Sequence, residues 1–269
     1  MAFIAQVLKK RRLIISLAIL SGVFLVLLIQ PLFLARSMAH LFPRIVWYKM
    51  TKQPLIALSF DDGPDPLYTP QVLDLLARHK TRATFFLIGE RARRYPDLMA
   101  AIRAAGHEIG NHTDSPGSTF FSSQRRFEES LLRAEETLGL RNAQRKLFRP
   151  GGGWIRPAQL DFAVQQGYTT VLGTAYAFDA YRPPAAYIGW VIAKNFEPGV
   201  IVVLHDAGGN RSNTVAALAG ILSAAQRKGL RAVTVSELLA AAPEKVRGAE
   251  QSGARRAFAA TFSAAGRRK

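Results

Sequence analysis

The sequence predicts an α/β domain with a parallel sheet, preceded by one apolar helix. Three observations lead to this fold class. Short apolar runs alternate with amphipathic segments between residues 54 and 240. Ionisable side chains directly follow several of these runs, at the strand ends where β/α folds build their active sites. A stretch of 23 residues without an ionisable side chain, 13–35, precedes the domain.

The N-terminal region has the pattern of a membrane anchor. Residues 1–12 form a tail ending in four basic residues, and in a helix the 23 residues of 13–35 would cross a hydrocarbon layer of about 30 Å. The basic cluster favours a cytoplasmic tail. We therefore expect a single-pass transmembrane helix, or uncleaved signal anchor, in the inner (cytoplasmic) membrane, with the domain extracytoplasmic. A cleaved secretory signal, cut near 37–39, is the alternative.

The distribution of charge argues against a nucleic-acid partner. The chain carries a net charge of +17, of which residues 1–53 hold +8 and residues 241–269 hold +5, leaving +4 for 54–240. A domain with so little excess charge lacks the basic footprint of a nucleic-acid binder. Basic ends beside an apolar segment instead favour a membrane partner. We interpret 36–53 as a linker and 241–269 as a basic disordered tail.

Within residues 54–240 the pattern predicts seven strands and six helices. The apolar runs typical of buried strands are 55–60, 83–88, 108–111, 146–149, 169–174, 200–204 and 232–235. The amphipathic segments typical of helices are 69–79, 91–105, 123–138, 157–166, 184–195 and 212–228. Both a barrel-like closed sheet and a doubly wound open sheet are compatible with this alternation.

Donor groups for a metal ion follow the first and third predicted strands. Asp61 and Asp62 are adjacent carboxylates, which repel each other unless a cation lies between them. His112 and Asp114 add a nitrogen and an oxygen donor on another loop. The absence of cysteine excludes thiolate ligands. This donor set suits zinc, and also manganese, cobalt or nickel. A plain turn at Asp61 and a structural histidine are the alternatives.

Two further strand ends carry groups suited to acid–base chemistry. His205 closes the sixth predicted strand, where a general acid would be needed, and a buried structural histidine is the alternative. Arg149 ends the fourth strand and could pair with a carboxylate. Asp179 follows the fifth strand by a few residues.

Six short motifs stand in order along the domain. They are SFDDGP at 59–64, TP at 69–70, ATFF at 83–86, GHEIGNH at 106–112, FRP at 148–150 and LHD at 204–206. Together they resemble the motifs of the polysaccharide deacetylases of carbohydrate esterase family four, over about residues 55–239. The resemblance implies a distorted (β/α)7-type barrel. It also implies metal-dependent removal of acetyl groups, N-acetyl before O-acetyl, from an acetylated polysaccharide of the cell envelope or the extracellular space.

The resemblance assigns a role to each catalytic candidate. Asp61 would be the general base, and Arg149 would orient it. His205 would be the general acid, and Asp179 would tune it. For an acetamide the acid is essential, because an amide anion does not leave unprotonated.

The metal and substrate groups show two departures from the family pattern. Asp62 and His112 match metal ligands, but Pro116 stands where a second histidine is usual, and we expect Asp114 to replace it. The third motif reads RPGGGW at 149–154 and lacks the usual tyrosine. We expect sugar stacking at this edge from the aromatic residues Trp154 and Tyr176, and less from Phe178 and Trp190.

These departures motivate an alternative. A non-catalytic relative could keep the fold in order to bind glycan without hydrolysing it. Because the residues matching base, acid and orienting arginine are intact, we favour the metal-dependent deacetylase, acting on a carbon–nitrogen bond.

Overall fold

The structure, a computed structural model, describes residues 2–29 and 32–241, and it begins with two helices. Helix α1 covers Ala2–Ile29 and helix α2 covers Leu32–Leu41. None of the described helices combines the length and the hydropathy needed to cross a bilayer. The predicted transmembrane helix is therefore not found among the described residues. Most of the predicted basic tail, 242–269, lies outside them.

A single parallel sheet of eight strands forms the centre of the domain. The strands are β1 (Leu55–Asp61), β2 (Thr84–Leu87), β3 (Glu108–Asn111), β4 (Lys146–Phe148), β5 (Tyr168–Thr170), β6 (Ala175–Tyr176), β7 (Ile201–His205) and β8 (Arg231–Val233). Their order is β5-β4-β3-β2-β1-β7-β6, and β8 pairs with the start of β1. The architecture is the predicted parallel α/β class, in the form of a curled half-barrel. The short strand β6 was not predicted, because two residues are too few to show a periodic pattern.

Helices connect the strands. They are α3 (Tyr68–Arg78), α4 (Gly89–Arg94), α5 (Pro96–Ala104), α6 (Gln124–Thr137), α7 (Pro157–Gln165), α8 (Ala185–Lys194), α9 (Ser212–Arg227) and α10 (Val235–Ala240). The single helix predicted over 91–105 is divided at Tyr95, whose backbone leaves the helical region at φ −130°. Pro96 has no N–H to donate and takes the first position of α5, which is a favoured place for proline.

Strand β1 lies at the centre of the core. All seven of its residues are buried, as expected of a parallel strand that is covered on both faces. The Phe60 ring stacks on Phe85 of β2 with centroids 5.1 Å apart. Truncating a fully buried ring such as Phe60 to alanine costs about 3–5 kcal/mol of unfolding free energy. This packing gives the strand that carries Asp61 a rigid support.

Part of the predicted linker contacts the sheet. Val46 donates its N–H to the Thr170 carbonyl at 2.9 Å and accepts from the N–H of Leu172 at 2.8 Å, both beside β5. Farther along, the N–H of Lys49 donates to the Gly199 carbonyl at 2.9 Å, next to β7. This segment therefore bridges β5, one end of the sheet order, and the residues just before β7, near the other end.

Candidate active site

The register of the sheet brings the sequence-predicted residues to one edge. Asp61, the last residue of β1, pairs directly with His205, the last residue of β7. His112 directly follows β3 and Arg149 directly follows β4, and these two strands are neighbours. The edge opens into a cleft of about 670 Å³. The predicted residues that line this cleft are Asp61, Asp62, His112, Arg149, Trp154, Tyr176 and His205.

Asp61 and Arg149 form a buried ion pair. The Arg149 side chain is 2% exposed. Its Nη1 donates to Asp61 Oδ1 at 2.7 Å and to Ser59 Oγ at 2.8 Å, and its Nε donates to the Val171 carbonyl at 3.2 Å. Burial lowers the pKa of Arg149, and the charge and hydrogen bond of Asp61 offset only part of that effect. The guanidinium therefore fixes one oxygen of Asp61 and leaves Oδ2 as the oxygen that can take a proton.

Asp62 and His112 form a second close pair. His112 Nε2 lies 3.5 Å from Asp62 Oδ1, and His112 Nδ1 lies 2.7 Å from the Arg149 carbonyl oxygen. Because a carbonyl oxygen only accepts, Nδ1 carries a proton, and Nε2 is the nitrogen that faces Asp62. Burial lowers the pKa of His112, but the hydrogen bond of Asp62 and the charges of Asp61 and Asp62 outweigh burial and raise it, so Nε2 carries a proton toward Asp62 that a metal ion would displace. Burial raises the pKa of Asp62, but the hydrogen bond and charge of His112 and the charges of His205 and Arg91 outweigh burial and lower it to about 2.

Asp62 and His112 supply donor types that suit a divalent cation. A carboxylate that stays ionised and an imidazole whose tautomer is fixed by a carbonyl are the usual donors of such a site. In the part of the chain that the structure describes, no third carboxylate or imidazole joins Asp62 and His112.

Asp114 was predicted as a third metal ligand, but in the structure its carboxylate binds Arg93. The carboxylate is 4% exposed, and Arg93 Nη1 and Nη2 donate to its two oxygens at 2.6 and 3.0 Å. Thr113, between His112 and Asp114, has a left-handed backbone with φ 67°, and Asp114 packs so closely against Gly89 that a Cβ there would lie 2.4 Å from Oδ1. Asp114 therefore anchors its loop to helix α4.

His205 is held by Asp179. The backbone N–H of His205 donates to Asp179 Oδ2 at 2.8 Å, and the ring Nδ1 donates to Oδ1 at 2.8 Å. Thr214 Oγ1 also donates to Oδ2, at 3.0 Å. Burial lowers the pKa of His205, but the charge and hydrogen bond of Asp179 and the charges of Asp61 and Asp62 outweigh burial and raise it to about 9. The ring is therefore cationic near neutral pH and can give up a proton from Nε2.

Sequence reasoning missed Arg211, which joins the two loops beside His205. Its side chain is buried, and it donates to the carbonyls of Ala207 at 2.6 Å, Gly208 at 2.8 Å and Ala180 at 2.9 Å. A lone arginine before a helix gives no signal of such contacts, because its acceptors are all backbone groups.

A buried carboxylate, Asp206, was also missed as a contributor to the site. Thr69 Oγ1 donates to its Oδ2 at 2.5 Å, and burial raises the pKa of Asp206 to about 7. A Cβ at Gly63 would lie 2.7 Å from this carboxylate. Asp206 thus packs directly against the loop that carries Asp61 and Asp62.

Aromatic side chains line parts of the cleft. Trp154 is 58% exposed, and Tyr176 lies with its ring centroid 6.1 Å from that of His205 and 5.0 Å from that of Phe178. Trp190 instead lies on α8, where it contacts Tyr187. Trp47, from the segment before the barrel, also lines the cleft and was not predicted, because its sequence position lies outside every motif.

The glycines of the third motif have a steric role. A Cβ at Gly151 would lie 2.1 Å from the Gly117 carbonyl oxygen, and Gly152 and Gly153 have φ of 73° and 75°. Only glycine allows the close approach at Gly151, and glycine adopts the left-handed backbone angles of Gly152 and Gly153 without strain. The replacement of the usual motif therefore lets the loops after β3 and β4 touch.

Comparisons with known proteins agree with the geometry. A family model described as polysaccharide deacetylase matches residues 48–171. A peptidoglycan-N-acetylglucosamine deacetylase of Bacillus cereus is 44% identical over 197 residues, which cover 72% of this chain and 92% of that protein. A chitooligosaccharide deacetylase of Sinorhizobium fredii is 32% identical over 192 residues, covering 66% of this chain and 89% of that protein.

A solved structure extends the comparison to three dimensions. The crystal structure of a peptidoglycan N-acetylglucosamine deacetylase in complex with a substituted N-hydroxybenzamide matches with a TM-score of 0.70 and 32% sequence identity. The match covers 75% of this chain and 95% of that chain.

Proposed function

We propose, from the premise that this chain belongs to the polysaccharide deacetylase family, that it hydrolyses the N-acetyl groups of N-acetylglucosamine residues in a cell-wall polysaccharide. Family membership rests on a relative that is 44% identical and that this chain covers almost throughout. The single observation that carries the proposal is the pairing of Asp61 with Arg149 and of His205 with Asp179 across one cleft. This arrangement places the proposed base and the proposed acid in one cleft, at the ends of neighbouring strands.

Asp61 is the proposed general base. Arg149 fixes Oδ1 of the carboxylate, so that Oδ2 can accept the proton of the attacking water. The buried guanidinium makes three further contacts, to Ser59 and to two backbone carbonyls, which hold its side chain in one position. The base is thus held in place before the substrate binds.

His205 is the proposed general acid. Its raised pKa keeps the ring protonated near neutral pH, and Asp179 holds Nδ1, so that Nε2 is the nitrogen that gives a proton to the leaving amine. Protonation is required because the carbon–nitrogen bond of an acetamide breaks only when the nitrogen leaves as a neutral amine.

Asp62 and His112 are the proposed metal ligands. A divalent ion, most simply zinc and otherwise manganese, cobalt or nickel, would supply Lewis-acid polarisation of the acetyl carbonyl when bound. Its support is the ionised Asp62 beside Nε2 of His112, because a carboxylate and an imidazole nitrogen are donor types that such ions take.

Substrate contacts and location complete the proposal. Trp154, exposed at the cleft, and Tyr176, beside His205, would contact sugar rings.

We place the domain outside the cytoplasm, where a polymerised cell-wall glycan lies. Protease treatment of intact cells tests this: degradation of the domain without lysis supports it, and protection contradicts it.

The activity is tested by acetate release from N-acetylglucosamine oligomers and from peptidoglycan, using the full chain. We expect release that stops on chelation, returns with zinc, and is lost in Asp61→Asn. The control is Asp74→Asn, which removes an exposed carboxylate on α3 that pairs with Arg78. Release that survives chelation would contradict the metal role, and release that survives Asp61→Asn would contradict the base.

A glycan-binding protein without turnover is the second candidate. It is favoured by one observation, the limit of two metal donors among the described residues. Glycan binding without acetate release, in a sample shown to contain zinc, would support it. Any turnover that depends on Asp61 would eliminate it.

A further inference from the structure

A second cleft lies beside the catalytic one. It has a volume of about 540 Å³ and lies between the loop after β3 and the first turns of helix α6. Gly117 and Ser118 line both clefts. A polymer bound in the catalytic cleft therefore has a direct path for a side branch into this second space, here named the side cleft.

The two carboxylates of the side cleft are already neutralised. Asp114 is bound through both oxygens by Arg93, which is not part of the lining. Glu129 accepts from Arg125 Nε at 2.8 Å, and Arg125 is also outside the lining. Neither carboxylate thus needs a cation from the cleft itself.

Two arginines that line the side cleft therefore carry positive charge that its carboxylates do not need for neutralisation. Arg126 is exposed, and no carboxylate within residues 2–29 and 32–241 lies at ion-pair distance from it. Arg133 is 66% exposed and lies 3.8 Å from Asp114, whose oxygens Arg93 already occupies. Its charge also contributes to lowering the pKa of Glu129, but the larger contributions come from Arg125, which already binds that carboxylate. The side cleft consequently presents two cationic side chains, seven residues apart on one helix, to whatever enters it.

An aromatic pair borders the same cleft. Phe121 lines it and is 86% exposed, and Phe120 is 42% exposed. Their rings meet edge to face with centroids 5.4 Å apart. An apolar ring held in water beside a polar cleft suits the face of a sugar, whose C–H groups it can cover.

We propose that the side cleft binds a carboxylate-bearing branch of the glycan. The preferred substrate is then a polysaccharide with acidic branches next to N-acetylglucosamine, as peptidoglycan has through its stem peptides. A neutral oligomer of N-acetylglucosamine would fill the catalytic cleft alone. This inference rests on the proposed function and narrows its substrate class.

The test compares two substrates of equal chain length with the full chain. One is a peptidoglycan fragment with free stem-peptide carboxylates, and the other is an N-acetylglucosamine oligomer. In the double variant Arg126→Gln/Arg133→Gln, we expect KM for the acidic glycan to rise about tenfold, which corresponds to about 1.4 kcal/mol, while values for the neutral oligomer change less than about twofold. Arg227→Gln, which removes an exposed arginine on α9 that lines neither cleft, is the matched control and should change neither.

A charge-conserving variant separates charge from packing. Arg126→Lys/Arg133→Lys should recover most of the affinity for the acidic glycan, and added salt should weaken wild-type binding of that glycan more than binding of the neutral oligomer. Equal losses on both substrates, or no loss on either, would overturn the side-cleft proposal.

Failure of the activity is distinguishable from failure of the side cleft. If the wild-type chain releases acetate from neither substrate, the proposed deacetylase function fails. Binding of the unreacted fragments then decides the inference. Weaker binding of the acidic fragment alone by the glutamine double variant would support it, and equal binding would refute it.

Discussion

Replacing Asp179 with asparagine should move the alkaline limit of activity. In the folded protein Asp179 accepts the Nδ1 proton of His205 at 2.8 Å, and its charge is the largest contribution that raises the pKa of that ring. Asparagine keeps the size of the side chain and removes the charge. Burial, which lowers the pKa of His205, is then no longer offset by the charge of Asp179, the largest effect that raises it. We expect the pKa to fall from about 9 to the ordinary value of 6.5 or below.

The size of the effect follows from the two protonation states. At pH 8 a ring with a pKa near 9 is about 90% protonated, whereas a ring with a pKa near 6.5 is about 3% protonated. Because only the protonated ring can act as the acid, kcat/KM at pH 8 should fall about 30-fold. At pH 5.5 both rings are protonated, so the two proteins should differ much less.

The same shift affects stability. A folded pKa above the unfolded value stabilises the fold fully below pH 6.5, and this contribution is lost as the pH rises through about 9. At 1.36 kcal/mol per pKa unit, it amounts to about 3 kcal/mol. In Asp179→Asn the unfolding free energy should be reduced most below pH 6.5.

The assay is the pH dependence of kcat/KM for acetate release from pH 5 to 10, with unfolding in urea at the same pH values. Asp74→Asn, which removes an exposed carboxylate paired only with Arg78 on its own helix, is the control and should keep the wild-type profile. An alkaline limit that stays near pH 9 in Asp179→Asn would refute the reasoning, because the acid would then not be His205 tuned by Asp179.

Three other substitutions have expected outcomes. Arg149→Met leaves Asp61 buried without its cation and should lower the unfolding free energy by about 3–5 kcal/mol in urea titration; a loss below about 1 kcal/mol would contradict the buried pair. Asp114→Asn breaks the contact with Arg93 and should destabilise the protein while leaving zinc affinity, measured by calorimetry, within about twofold; a large loss of affinity would show that Asp114 is a ligand after all. Gly151→Ala places a Cβ 2.1 Å from a backbone carbonyl oxygen and should lower the unfolding free energy by about 1–3 kcal/mol; an unchanged thermal midpoint would mean that the loop adjusts freely.

Patterns confined to one segment predicted the fold well. Apolar runs of four to six residues identified seven of the eight strands, since each such run must be covered on both faces of a parallel sheet. Parallel strands expose their carboxyl ends at one edge, so Asp61 and His205 could be expected together before any coordinates were known. Strand β6 and the break at Tyr95 were missed, because each depends on two residues or fewer.

Contacts between distant segments could not be predicted from the sequence. Asp114 reads as a metal donor from its spacing to His112, yet a left-handed residue between them and Arg93, 21 positions earlier, hold it away from the metal pair. Arg211 gave no signal, because its partners are backbone carbonyls, which every residue carries. The membrane-spanning helix predicted over 13–35 likewise has no counterpart among the helices of the described residues.

The sequence by itself determined the class of the sheet, the edge at which the candidate residues gather, and the residue types proposed for base, acid and metal ligands. These follow from local periodicity and from side-chain chemistry, which neighbouring residues alone set. Only the tertiary structure decided that Asp114 binds Arg93, which arginine neutralises which other acid, and that a side cleft lined by Arg126 and Arg133 adjoins the site. Those outcomes depend on backbone angles and on packing between segments far apart in the chain, where a shift of a few ångströms changes the partner of a charged group.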